Sequence, residues 1–127
     1  YTIIKDCYNA GPESMAASLS VLGAKKGRKI AVLGDMLELG DRTEMEHEKL
    51  GALEASCADV LLSYGPNREI VIAGAVAAGM DPENTGSFGK REEMAESLRQ
   101  NCREGDVLLF KGSHGMHMEL VLEQFLK

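Results

Sequence analysis

No apolar run in this sequence is long enough to cross a bilayer, and the amino end lacks the basic and hydrophobic parts of a signal peptide. A soluble, cytoplasmic protein without membrane insertion is therefore expected. Positive charge is also in short supply. With 14 Lys and Arg against 20 Asp and Glu, the formal charge is −6, which argues against free binding to a polyanion unless a basic patch overrides it. The longest basic cluster, Lys25, Lys26, Arg28 and Lys29, reads as a solvated linker between a helix and a strand, so nucleic acid is not an expected partner. Cys7, Cys57 and Cys102 are odd in number and far apart. That excludes a disulfide framework and offers no zinc-ligand spacing, so each is taken as a small buried or half-buried side chain.

The familiar chemical signatures are missing as well. Gly86-Ser87-Phe88-Gly89-Lys90 falls short of a phosphate-binding P-loop, because Asn84 stands where a leading glycine belongs and Arg91 replaces the Ser or Thr that would hold magnesium. No GxGxxG follows the first strand, and no serine sits in a GxSxG elbow. His114 and His117 have a possible metal spacing but no nearby cysteine. We assign neither a metal site nor a catalytic set to this chain alone. If a nucleotide binds, another domain must supply the phosphate loop.

What is present is the pattern of one α/β domain. A chain of 127 residues with 44% hydrophobic content can bury one sizeable core, so residues 1–127 are expected to form a single domain. The sequence opens directly on strand material at Tyr1-Thr2-Ile3-Ile4 with no initiating methionine, which reads as a domain excised from a longer protein. Thr2 to Tyr8 reads as the first strand, followed by a turn and a helix with Pro12 at its first position and Gly23 as its stop. Lys29 to Leu33 is the second strand. Thr43 and Glu46 have capping-box spacing ahead of a helix striped by Leu50, Leu53 and Cys57. Asp59 to Tyr64 gives a third strand and Arg68 to Ala78 a helix. Asn84 to Phe88 gives a short fourth strand, Arg91 to Asn101 a helix, and Val107 to Phe110 the fifth strand. Met118, Val121, Leu122 and Phe125 stripe the last helix. Strands alternating with helices throughout predict a three-layer α/β fold with a mainly parallel, Rossmann-like open sheet.

Parallel strands deliver their following loops to one edge of the sheet. Four polar sets therefore meet at one rim: Asp6, Tyr8 and Asn9; Asp35 and Glu38; Tyr64; and Lys111, Ser113 and His114. Lys111 can supply a positive charge beside glycine amides, or can instead be ion-paired with Asp35 or Asp6 to balance the rim. Asn9 can cap the first helix, and Tyr8 can bury its ring with the hydroxyl wet. His47 reads as a hydrogen-bonded boundary histidine more readily than as a ligand contact.

The segments Asp6-Cys7-Tyr8-Asn9-Ala10-Gly11-Pro12-Glu13-Ser14-Met15 and Val32-Leu33-Gly34-Asp35-Met36-Leu37-Glu38-Leu39-Gly40, then His47 with Gly51, and Lys111-Gly112-Ser113 before Met118-Glu119, resemble the carboxy-terminal domain of the Mur ligase family. The likeness spans essentially the whole chain and points to the branch that adds D-alanyl-D-alanine. It implies a three-domain cytoplasmic enzyme of bacterial peptidoglycan synthesis. That enzyme would join D-alanyl-D-alanine to UDP-N-acetylmuramoyl-tripeptide, using ATP and Mg2+ through an acyl phosphate. The family's P-loop, magnesium ligands and modified lysine lie in the central domain and its uridine site in the amino-terminal one. Those two absent domains are thus implied partners, and the isolated chain is expected to be inactive. The resemblance places Asp6 on the nucleotide side near the ribose, with Tyr8 and Asn9 facing the cleft. It implies substrate-binding roles for Asp35, Glu38, Lys111, Ser113 and His114. Two positions depart from the pattern: Gly11 stands where a second asparagine is usual, and His114 replaces the arginine of Lys-Gly-Ser-Arg. An independent ligand-binding domain, similar to a response-regulator receiver, is the alternative, although Ser63-Tyr64 stand where its phosphoryl-accepting Asp should be.

Overall fold

The computed structural model describes residues 1–7 and 10–127; Tyr8 and Asn9, and with them their assigned roles, lie outside the described residues. Five strands, β1 (Thr2–Asp6), β2 (Lys29–Gly34), β3 (Val60–Tyr64), β4 (Thr85–Phe88) and β5 (Val107–Lys111), pair in the order β1-β5-β2-β3-β4. Every pairing is parallel. The helices are α1 (Pro12–Gly23), α2 (Thr43–Cys57), α3 (Arg68–Ala77), α4 (Arg91–Asn101) and α5 (Glu119–Phe125). This is the expected three-layer α/β architecture.

Strand order decides which face each helix covers. Crossovers between parallel strands are right-handed, and the steps β1 to β2, β2 to β3 and β3 to β4 all run one way across the sheet. Their helices α1, α2 and α3 consequently share one face, where Met15, Leu19, Leu22, Leu50, Val71 and Ala75 pack on Ala31, Leu33, Leu61 and Leu109. The step from β4 back to β5 runs the other way. It puts α4 on the opposite face, where Met94 and Leu98, joined by Val121, Leu122 and Phe125 of α5, cover Ile30, Val32, Leu108 and Phe110. The apolar run Ile30 to Leu33 feeds alternate residues to both layers, as a strand covered on both sides must.

Four local expectations need correcting. The first strand ends at Asp6. The capping box does not form, because a 3-10 turn at Gly40–Arg42 already winds the chain into α2 and the Thr43 hydroxyl donates to the Gly40 carbonyl at 2.7 Å. The inward face of α2 is His47, Leu50, Gly51 and Glu54, with Leu53 turned outward. A polar histidine and a glutamate occupy core positions that apolar periodicity assigns to leucine and cysteine. The basic cluster is also only partly a linker. Lys25 and Lys26 are exposed, but the Arg28 guanidinium grips Asp106 with two hydrogen bonds, of 3.1 and 2.7 Å, and donates to the Asn101 carbonyl at 2.8 Å. That pair ties the start of β2 to the turn ahead of β5. Arg28 is the main reason the Asp106 carboxyl lies below its ordinary pKa.

Candidate functional site

Strands β5 and β2 are neighbours, yet α5 and α2, which follow them, leave to opposite faces of the sheet. Such a switch point opens a crevice at the carboxyl ends of the strands. The two strands end against one another through glycine. A Cβ on Gly112 would lie 2.7 Å from Met118 Cγ and 3.1 Å from Gly34 Cα, and one on Gly34 would lie 2.8 Å from Met118 Sδ. Only bare backbone lets the loops leave side by side over the Met118 side chain.

Lys111, the last residue of β5, is wholly buried. It faces Asp6 in register on β1, and its Nζ meets Asp6 Oδ2 at 2.5 Å. Of the two possible partners for this lysine, the structure selects Asp6, whose side chain remains 39% exposed. Lys111 is absent from the lining of the crevice, and its charge is directed at a neighbouring strand.

Asp35 is likewise turned inward. It is only 2% exposed, and its carboxylate accepts the Asn67 backbone N–H at 3.1 and 3.2 Å and the Asn67 side-chain amide at 2.7 Å. Its carbonyl accepts the Ser113 N–H at 3.0 Å. Asp35 therefore joins the β2, β3 and β5 loops, and it is absent from the lining of the crevice.

The segment after Asp35 is held at successive amides. Met36 N–H donates to His47 Nε2 at 3.0 Å, and Leu37 N–H donates to Ser113 Oγ at 2.9 Å. His47 is wholly buried, and its Nδ1 lies 2.7 Å from the Thr43 carbonyl oxygen. With Nε2 accepting and Thr43 O able only to accept, the ring carries its proton on Nδ1. Glu38 follows with φ of +63°, a left-handed conformation uncommon outside glycine. Leu37, Glu38, Ser113, His114 and Gly115 face Ala10 and Gly11 across an open cleft of about 490 Å³. Tyr64 stands apart from it, its hydroxyl accepting from Arg91 at 3.1 Å under the same guanidinium.

The sequence-derived set therefore divides. Glu38, Ser113 and His114 line the cleft; Asp6 and Lys111 pair with one another outside its lining; Asp35 is buried. His114 packs edge-on against His117 with ring centroids 5.8 Å apart, and His117 Nδ1 pairs with Glu119 at 3.2 Å. Among the described residues no group of three or more His, Cys, Asp or Glu could hold a metal ion, so the side chains here do not fit a magnesium site. Sequence reasoning missed Asn67 as the partner of Asp35 and Leu37 as a cleft residue. Asn67 lies 32 positions away with no local signal; the signal for Leu37 was its apolar character, together with Met36 and Leu39, in a segment too apolar for a plain solvent loop. The larger surface hollow, about 640 Å³ between α2 and α3, lies outside this rim and collects none of these residues.

Comparison with known proteins places this geometry. A family model described as Mur ligase, glutamate ligase domain, matches residues 1–114. The UDP-N-acetylmuramoyl-tripeptide–D-alanyl-D-alanine ligase of Bacillus subtilis (strain 168) is 32% identical over 129 aligned residues, covering 99% of this chain and 28% of the relative. The protein of the same name from Synechocystis is 38% identical over 128, covering 98% of this chain and 27% of the relative. Among solved structures, MurF ligase from Thermotoga maritima in complex with ADP superposes with a TM-score of 0.82 at 32% identity, over 97% of this chain and 27% of that one. MurF from Acinetobacter baumannii gives 0.82 at 30% identity, over 95% and 27%. The chain thus spans little more than a quarter of the length of the relatives it matches.

Proposed function

This chain belongs to the Mur ligase family, and from that premise we propose that residues 1–127 are the single carboxy-terminal domain of a cytoplasmic, ATP-dependent ligase that joins D-alanyl-D-alanine to UDP-N-acetylmuramoyl-tripeptide. The observation that carries the reading is the match along 99% of the chain to a ligase named for that reaction, at 32% identity. The switch-point cleft supports it, because it gathers a carboxylate, a hydroxyl and an imidazole at the mouth where a small polar substrate would enter.

In this reading the domain binds, orients and shields. Asp6, half-exposed and steadied by Lys111, stands on the nucleotide side, the side to which the family resemblance also assigns Tyr8 and Asn9. Glu38, Ser113 and His114 stand on the dipeptide side. Lys111 and Asp35 support the wall and touch no ligand. Mg2+ and the phosphates of ATP belong to the central domain. Closing this domain over that one would hold the amine against the activated carboxyl and keep water away, the condition under which orientation replaces a bimolecular encounter. A receiver-like signalling role loses support because β3 ends in Ser63 and Tyr64, with no carboxylate to accept a phosphoryl group.

The test is the full-length protein with ATP, Mg2+, UDP-N-acetylmuramoyl-tripeptide and D-alanyl-D-alanine, followed by ADP release and product mass. Release that depends on both substrates is expected. No ADP release from the full-length protein would refute the reading. Residues 1–127 alone are expected to release none, for want of a phosphate loop.

A further inference from the structure

Of the carboxylates that the sequence assigns to the rim, two are committed within the protein. Asp6 holds Lys111, and Asp35 holds Asn67 through both amides. Glu38 differs from both. It is exposed, lines the cleft, and among the described residues makes no hydrogen bond or ion pair. Its backbone is nonetheless held in place. The two amides before it are fixed by His47 and Ser113, and Glu38 itself is held at φ +63°. Glycine would occupy that conformation without penalty, so a carboxylate is presented there at a conformational cost. Strain of this kind collects where a side chain must be aimed.

The surroundings define what it is aimed at. Leu37 is 41% exposed beside it and Ala10 and Gly11 lie across the cleft, a lining that suits short apolar side chains. Ser113 and His114 add polar groups on the third side. Among the described residues no group of three or more His, Cys, Asp or Glu could hold a metal ion, so one carboxylate here is a poor site for a divalent ion but matches one ammonium.

We propose that Glu38 is the specificity-determining carboxylate for the amino substrate: it receives the ammonium of a small zwitterionic dipeptide, whose side chains lie along Leu37 and Ala10. His47 and Ser113 act as positioning residues, through the amides of Met36 and Leu37. This assignment rests on the ligase reading above, because it needs an amine to enter this cleft.

The test uses the full-length enzyme, wild type and E38Q, with D-alanyl-D-alanine and with propanoyl-D-alanine, the same dipeptide without its ammonium, as a competitive inhibitor. Removing one charge-assisted hydrogen bond from an open cleft should raise the dipeptide KM about 10- to 100-fold. KM for ATP and for the tripeptide nucleotide, and the inhibition constant of propanoyl-D-alanine, should stay within about twofold. E38G should repeat the KM increase at a Tm no lower than that of the wild type, which separates aim from folding. Dipeptide and desamino analogue weakening by the same factor in E38Q, or neither weakening, overturns the assignment while leaving the ligase reading intact. A wild-type enzyme that releases no ADP with the dipeptide ends both.

Discussion

Nε2 of His47 accepts the backbone N–H of Met36 at 3.0 Å, so a helix residue fixes the first turn of a loop eleven positions before it. The other ring nitrogen is taken by the Thr43 carbonyl at 2.7 Å, and the ring is wholly buried. Replacing His47 by Ala removes an acceptor from a buried N–H and leaves a cavity, a combination worth about 2–4 kcal/mol. Urea unfolding should show that loss. Hydrogen exchange should quicken at Met36 and Leu37 more than in the strands, and uniform quickening would refute the loop-holding role.

Glu54 predicts an unusual pH dependence. It is wholly buried in α2 with neither carboxylate oxygen partnered among the described residues. Burial first, and the charge of Asp59 second, push its pKa from 4.5 up to about 8. The folded chain therefore keeps a proton that the unfolded chain releases. Stability should fall as pH rises from the ordinary glutamate range to about 8, and level off above it. Glu54→Met should flatten that slope and be a few kcal/mol more stable than wild type at pH 8. Denaturant midpoints measured every half pH unit would decide it; parallel profiles for the two proteins would count against it.

Asp106 titrates in the opposite sense. The Arg28 guanidinium, followed by the Arg103 backbone N–H at 2.8 Å, holds its carboxyl below the usual range. The stabilisation is present above the unfolded carboxylate pKa and is lost as pH falls through the lower folded value. Asp106→Asn should cost about 2–3 kcal/mol at pH 7 and much less in strong acid. An equal cost at both would show that shape, and not charge, is what the site requires.

Lys111 and Asp6 should respond asymmetrically. Asp6→Ala leaves a wholly buried ammonium without its partner and should cost about 2–4 kcal/mol, somewhat below a fully buried pair because the Asp6 side chain is 39% exposed. Lys111→Met combined with Asp6→Ala should recover most of that loss. A double variant no better than Asp6→Ala alone in thermal unfolding would mean the pair is not what Lys111 requires.

Glu38→Gly relieves a left-handed backbone and loses chain stiffness in the unfolded state, two effects of similar size. The net change should lie between zero and about 1 kcal/mol of added stability, measured by calorimetry. A clear loss would mean the Glu38 side chain contributes to folding.

The architecture was legible because the alternation of apolar runs with capped, 3.6-periodic segments is a property of neighbouring residues. Pro12 and Gly23 bound α1 as expected, and Arg91 to Asn101 form α4. The rim was legible too, since any parallel sheet carries Asp6, Asp35 and Lys111 to one edge. Which of them faces solvent was not. Lys111 is buried because β1 presents a carboxylate in register, and Asp35 because Asn67 reaches it from the next loop. Those pairings depend on strand order, which periodicity does not encode. His47 and Glu54 were misleading for a related reason: each is polar and occupies the inner face of α2, so hydropathy rotated that helix away from its true seat.

The strand order also constrains how the chain is made. β5 is translated last of the strands, yet it lies between β1 and β2. During synthesis β2, β3 and β4 can join early, while β1 has no partner in the sheet until residues 107–111 leave the ribosome. Insertion of that one segment completes the hydrogen bonding on both its sides and seats Lys111 against Asp6. Until then two strand edges are open to other chains. A chain halted with Val107–Lys111 still inside the ribosome would therefore be prone to aggregate, whereas one halted after that segment has fully emerged could assemble the rim.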